Sequence, residues 1–144
     1  MSLFSVLSIG ASGMAAQRTR AEMLTENLAN AETTRTPEGG PYRRKDVVFE
    51  TTAAASPFSS VFDATVQAPG GVAVSEIVTD TRDPEMRYLP GHPDANAEGY
   101  VAFPRINPAE DMVDLMGATR SYEANVAAIS SVKDMIQRSF DLFR

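Results

Sequence analysis

The residues best suited to chemistry sit together in "YLPGHPDANAEGYVAF", residues 88–103. His92 is the only histidine, Asp94 follows two residues on, and Glu98 lies just beyond. An imidazole beside carboxylates could bind a metal or move a proton. A catalytic zinc normally takes three protein ligands, and one histidine with carboxylates is a poor set. The same residues also spell a turn. Pro90 and Gly91 fit positions i+1 and i+2 of a type II turn. Pro93 biases His92 to an extended backbone. Asp94 and Asn96 can bond their own backbone as Asx turns. The turn reading gives every residue from Pro90 to Gly99 a conformational role. A small metal-binding enzyme centred on His92 and Asp94 is the alternative.

No other constellation offers catalysis. Cysteine is absent, which excludes disulfides and thiolate metal sites. "GASGMA" (10–15) falls inside a helical pattern rather than after a strand, so it lacks the context of a phosphate-binding loop. The net charge of −6 argues against nucleic acid as a main partner. Arg43, Arg44 and Lys45 form one basic cluster, which reads as a solvated loop.

The elements that must position these residues are divided by proline. Eight of the nine prolines lie between Pro37 and Pro104, and the ninth, Pro108, stands where a helix would begin. Proline breaks helix interiors, so the ends can be long helices and the middle cannot. Three segments follow: a helix in residues 1–32, an extended loop and small β-rich region in 33–106, and a helix in 107–144. The expected fold is mainly α, with the two terminal helices paired antiparallel in coiled-coil fashion.

In the first helix, Leu7, Gly10, Met14, Gln17, Ala21, Leu24, Leu28 and Ala31 recur at spacings of three and four, the pattern of helices packing side by side. Gly10 and Gly13 weaken the early turns by roughly 1 kcal/mol each relative to alanine. The second helix opens on "NPAED": Asn107 as N-cap, Pro108 at N1 and Glu110 at N3, a capping-box variant. Glu110 and Asp111 suit the positive end of the helix dipole. Its seam runs Met112, Leu115, Thr119, Tyr122, Val126, Ile129, Lys133, Ile136, Phe140 and Phe143. At ~1.5 Å per residue the helices reach ~40 and ~50 Å. Stripes of that length need a partner. Periodicity leaves two open, each other within a monomer or further copies in an assembly.

In the middle, 46–50, 72–79 and 100–103 are strand candidates, and 51–71 is a mobile or variable segment. "TRTPEGGPYRRK" (34–45) is a loop of a length that is uncommon unless it functions or lies on a partner. The N-terminus imitates a secretion signal but lacks a positive n-region, and Ser5 and Ser8 break its apolar run. It reads as mature structure. No run approaches the roughly 18 apolar residues of a membrane span.

The stretch "SIGASGMAAQRTRAEMLTENLANAETTRTPEGGPYRRK" resembles the flagellar rod proteins, with "ASGMAAQ" leading through "NLAN" into a loop. "TRTPEGGPYRRK" and "PGHPDA…GYV" are similar to the proximal-rod, C-type members of that family. A distal rod or hook component is the runner-up within it. The resemblance implies a non-enzymatic structural subunit without cofactor or metal. It would be exported unfolded by the flagellar type III apparatus without a cleaved signal, and stacked helically in the periplasmic rod to carry torque. Implied partners are other copies, rod proteins of the B, F and G types, the basal adaptor FliE and the membrane-ring protein FliF. Neither nucleic acid nor direct membrane insertion is implied.

On this resemblance the assembly seams are Leu7, Met14, Ala21, Leu24 and Leu28 in the first helix. In the second they are Met112, Leu115, Tyr122, Val126, Ile129, Ile136, Phe140 and Phe143. Leu3, Phe4 and Leu7 would serve as an export signal. Arg35, Pro37, Tyr42, Arg43 and Arg44 would make loop contacts between subunits.

Overall fold

The computed structural model describes residues 3–52 and 70–141, with side chains from residue 5 onward. The chain runs α1 (Leu3–Ala29), β1 (Lys45–Thr52), β2 (Gly71–Thr79), β3 (Glu85–Tyr88), β4 (Tyr100–Phe103) and α2 (Pro108–Asp141). The two terminal helices pack on each other along their length and the strands lie between them in sequence, as expected.

The helices are antiparallel. Gly10 of α1 meets Ile129 of α2, Gly13 meets Asn125, and Arg20 reaches Asp114 at 3.8 Å. A Cβ on Gly10 would stand 3.0 Å from Ile129 Cγ1, and one on Gly13 would stand 3.1 Å from Asn125 Nδ2. The glycines that weaken the first turns are therefore what lets the helices come close. Here the gain from packing outweighs the propensity cost.

The packed line of α2 runs Asp111, Leu115, Ala118, Asn125, Ile129, Val132 and Ile136, all buried or half-buried. At alternate turns this is one residue away from the line that apolar periodicity picks out. The cause is chemical: Asp111 and Asn125 are polar residues on the packed face, and counting apolar residues passes over them to Met112 and Val126. Asn107 caps the helix as expected, its Oδ1 accepting from the Ala109 amide at 3.2 Å. Glu110 stays exposed and makes no reciprocal bond, so the capping box is only half formed.

β1 and β2 form an antiparallel ribbon with a bulge, where Ser75 is the extra residue opposite Val48 and Phe49. Lys45, Val47 and Phe49 alternate inward and are half-buried, and the ribbon lies along α1. It is tied there by Ser12, whose Oγ accepts from the Val72 amide at 3.1 Å. Residues 51 and 52 belong to β1 and residue 71 opens β2, so the variable segment is shorter than expected. Residues 53–69 lie outside the described residues.

β3 and β4 form a second antiparallel ribbon. β3 is not among the expected strands; its four residues are all exposed and carry no buried alternation to read. Its partner supplies the inward face. Val101 and Phe103 are buried, followed by buried Pro104 and Ile106, which lead the chain to α2.

Candidate assembly interface

His92 is a turn residue in the structure. Its amide donates to the Leu89 carbonyl at 3.0 Å, its Nδ1 accepts from the Asp94 amide at 3.1 Å, and its ring lies edge-on to Phe103 with centroids 6.3 Å apart. Among the described residues no group of three potential metal ligands converges anywhere. Two details of the turn differ from expectation. Gly91 does not take a positive φ, so the turn over Pro90 and Gly91 is not type II; Gly99 takes it instead, at 85°. Asp94 does not bond its own backbone. Its Oδ2 accepts from Thr34 Oγ1 at 2.8 Å, and Arg35 lies 3.8 Å from Oδ1. The stretch thus holds down the start of the 34–45 loop. Asn96 behaves as expected, accepting from the Glu98 and Tyr100 amides at 3.0 and 2.8 Å.

Asn27 fastens the other end of that loop. It is fully buried near the end of α1. Its Oδ1 accepts from the Lys45 amide at 2.9 Å and from the Tyr42 hydroxyl at 3.1 Å, and its Nδ2 donates to the Lys45 carbonyl at 2.8 Å. One side chain therefore stitches the helix to the first residue of β1. Burial, followed by the nearby Glu26 carboxylate, pushes the Tyr42 hydroxyl up to about 12. Lys45 pairs with Glu26 at 2.6 Å.

Arg44 makes the third fastening. It lies 3.1 Å from Asp111 in α2 and 3.3 Å from Asp46. Asp111 is almost wholly buried, and neither of its oxygens has an aligned hydrogen-bond donor. Burial raises its carboxyl above the ordinary range. Arg44 pulls it back, and Asp46, Asp114 and Glu110 push it up again. The basic cluster is thus not a solvated loop. Arg44 and Lys45 are held within the chain, and only Arg43 is exposed.

These fastenings sort the residues assigned to assembly. Along α1, Leu24 is buried, and Leu7, Met14, Ala21 and Leu28 are half-buried. The side chains of Leu3 and Phe4 lie outside the described residues. Along α2, Leu115, Ile129 and Ile136 are half-buried, while Met112, Tyr122, Val126 and Phe140 are exposed, with Phe140 the most at 72%. Phe143 lies outside the described residues. Val113 and Met116 add further exposed apolar surface to α2. In the loop, Arg35, Pro37 and Arg43 are exposed. Tyr42 and Arg44 are engaged inside the chain instead, because the loop's own anchors need them. Asn27 and Asp111 were missed as key residues; their one signal is a polar side chain within an apolar stripe.

An exposed apolar line on α2 and a loop pinned at three points are what the comparisons with known proteins can be set beside. A family described as "Flagella basal body rod protein" matches residues 7–35. A second, "Flagellar basal body rod FlgEFG protein C-terminal", matches residues 97–142. The "Flagellar basal-body rod protein FlgC" of Bacillus subtilis (strain 168) is 41% identical, with 99% of each chain covered. That of Aquifex aeolicus is 38% identical over 100% of this chain and 99% of the relative. That of Salmonella typhimurium is 37% identical over 99% and 98%.

The chain belongs to the FlgC family of flagellar basal-body rod proteins.

For a member of the FlgC family, the loop fastenings acquire a meaning. Asn27 lies inside the first matched region and ties it to Lys45 at the start of the ribbon, and Asp111 sits inside the second matched region. They hold the middle of the chain in a fixed relation to both helices.

Proposed function

We propose that this chain is a structural subunit of the proximal flagellar rod, assembled helically through its paired terminal helices to transmit torque, and that it carries out no catalysis. One observation supports this most. Met112, Val113, Met116, Tyr122, Val126 and Phe140 leave apolar surface exposed along α2, more than a two-helix layer covers. Fully burying a side chain of this size is worth ~1.5–3 kcal/mol, so covering the line by neighbouring chains is a strong drive to assemble.

Copies of this chain, rod proteins of the B, F and G types, FliE and FliF are the proposed neighbours. The names of the relatives support a place in the basal body, and a periplasmic position of the subunit is part of the proposal. No described helix is long and apolar enough to cross a membrane. Export unfolded through the flagellar type III apparatus, without a cleaved signal, completes the proposal. Leu3, Phe4 and Leu7 would form the export signal, and Arg35, Pro37 and Arg43 would make loop contacts between subunits.

The test is complementation of a strain lacking its own C-type rod protein. Met112→Asp and Val126→Asp place charges on exposed positions of α2, so the monomer folds and is exported as before. Motility is lost because the charges would be buried on assembly. Full motility of both variants would sink the seam assignment.

A further inference from the structure

A shallow groove runs between the end of the 34–45 loop, the β2–β3 connection and the approach to α2. Pro41, Pro84 and Pro104 line it, with Arg43, Arg82 and Arg105 around them. The groove's only carboxylate, Asp80, is already taken: it holds Arg82 through paired hydrogen bonds, and that pairing draws its carboxyl down to about 2. Arg44, at the groove's floor, is taken by Asp111. Arg43 donates only to the Asp80 carbonyl oxygen, at 3.0 Å, and Arg105 makes no ion pair or hydrogen bond among the described residues. Arg43 thus has no carboxylate partner among the described residues, and Arg105 acts only at longer range on Asp80 and Glu85, so both can take a further carboxylate.

The same chain presents a matching projection. Residues 36–40 form a tight turn: the Thr36 amide donates to the Gly40 carbonyl at 2.8 Å, and the Gly39 amide donates to the Thr36 carbonyl at 3.0 Å. Gly39 and Gly40 take φ of 91° and 78°, a conformation that glycine alone adopts freely. Nothing lies within 4 Å of where their Cβ atoms would be, so the glycine side of the turn is open, while its other residues border a cavity against Glu26, Asn30 and Thr79. At its tip Glu38 is exposed and makes no ion pair, although Arg43 is only five residues on. Among the described residues, the other carboxylates without an ion pair fit a narrow groove less well: Glu32 lies just past α1, Glu50 and Glu76 lie along the β1–β2 ribbon, Asp83 borders the groove itself, and Asp141 ends α2. Glu110, Glu123 and Asp134 lie on α2, a cylinder ~10 Å across. Glu98 lies beside Gly99, whose surroundings are packed by Tyr88 and Pro90.

We propose that the Glu38 turn of one copy seats in the Arg43–Arg105 groove of a second copy. The proposal rests on the reading of the chain as a rod subunit. Turn and groove are different surfaces, so the contact is heterologous. Repeated from copy to copy it propagates rather than closes, as an open helical stack requires. It adds a polar contact at the ribbon end of the molecule to the apolar one along α2.

The absence of cysteine makes a crosslinking test clean. In a strain lacking its own C-type rod protein, one copy carries Pro37→Cys beside the tip and another carries Asp83→Cys beside the groove. Basal bodies are treated with a short bis-maleimide. A crosslinked dimer is expected when both variants are present and in neither strain alone. Adding Glu38→Arg to the tip copy removes the dimer, and adding Arg105→Glu to the groove copy restores it. Restored motility with no mixed dimer overturns the contact and leaves the rod reading standing. A dimer that survives Glu38→Arg unchanged also overturns it. Failure of the unmodified chain to restore motility overturns the rod reading, and the contact with it.

Discussion

Replacing Asn27 with alanine removes three hydrogen bonds at once, to the Lys45 amide, the Lys45 carbonyl and the Tyr42 hydroxyl. Leaving a buried polar group unpaired costs ~1–3 kcal/mol. Lys45 is half-buried, so water can reach part of its backbone, and the low end of that range applies to each group. The expected loss is about 3 kcal/mol. For a chain of this size, ~2–4 °C in Tm per kcal/mol makes that a drop of roughly 10 °C. Urea unfolding of the purified monomer, followed by far-UV circular dichroism, reads it directly. Asn27→Asp sharpens the test. It keeps the accepting oxygen but turns a second oxygen toward the Lys45 carbonyl, and at pH 7 it buries a charge. Its penalty should shrink as pH falls, because the protonated carboxyl regains a donor. A loss below about 0.5 kcal/mol for Asn27→Ala would refute the assignment of Asn27 as the loop's anchor, since that is the scatter of ordinary surface substitutions.

Three further outcomes follow from the same contacts. Arg44→Ala leaves Asp111 buried without its attracting charge, which should cost ~3–5 kcal/mol at pH 7. Burial already holds Asp111 above its unfolded value, so stability from this group is present at low pH and lost as pH rises through the raised value. The Arg44→Ala penalty should therefore grow between pH 4 and pH 7; a flat or falling penalty in urea titrations counts against it. Tyr42 should ionise near pH 12 in ultraviolet titration, and its stabilising effect should fade as pH rises toward that value. A Tyr42→Phe variant whose titration near pH 12 is unchanged while the fold persists would contradict its burial. Gly10→Val forces a branched side chain where a Cβ already meets Ile129, and should lower stability by ~1–3 kcal/mol despite valine's better helix propensity, with no loss if the helices do not cross there.

The helices were legible because proline is confined to the middle and a three–four apolar spacing runs through both ends. Three of the four strands were legible from their β-branched and aromatic runs. β3 was not, because an exposed "EMRY" carries no buried alternation. The phase of α2 was legible only to within one residue, since Asp111 and Asn125 occupy places that an apolar count leaves out. Periodicity records which residues avoid water, and a buried carboxylate paired in charge with Arg44 or an amide against Gly13 escapes it. The loop anchors were hidden for a related reason. Asn27 is separated from Lys45 by 18 residues, and nothing in a linear pattern links a helix amide to a strand that has yet to form. The turn around His92 was readable from its prolines and from Asn96, but the clamp from Asp94 to Thr34 spans 60 residues and needed the fold.

In a rod subunit the exposed line on α2 is covered by neighbouring chains. A cryo-electron microscopy map of intact basal bodies from a strain living on this chain tests it most directly. Density is expected for α1 and α2 paired antiparallel within the proximal rod, with Met112, Val126 and Phe140 packed against adjacent subunits. A rod whose density excludes this chain, or one in which those side chains face water, would contradict it.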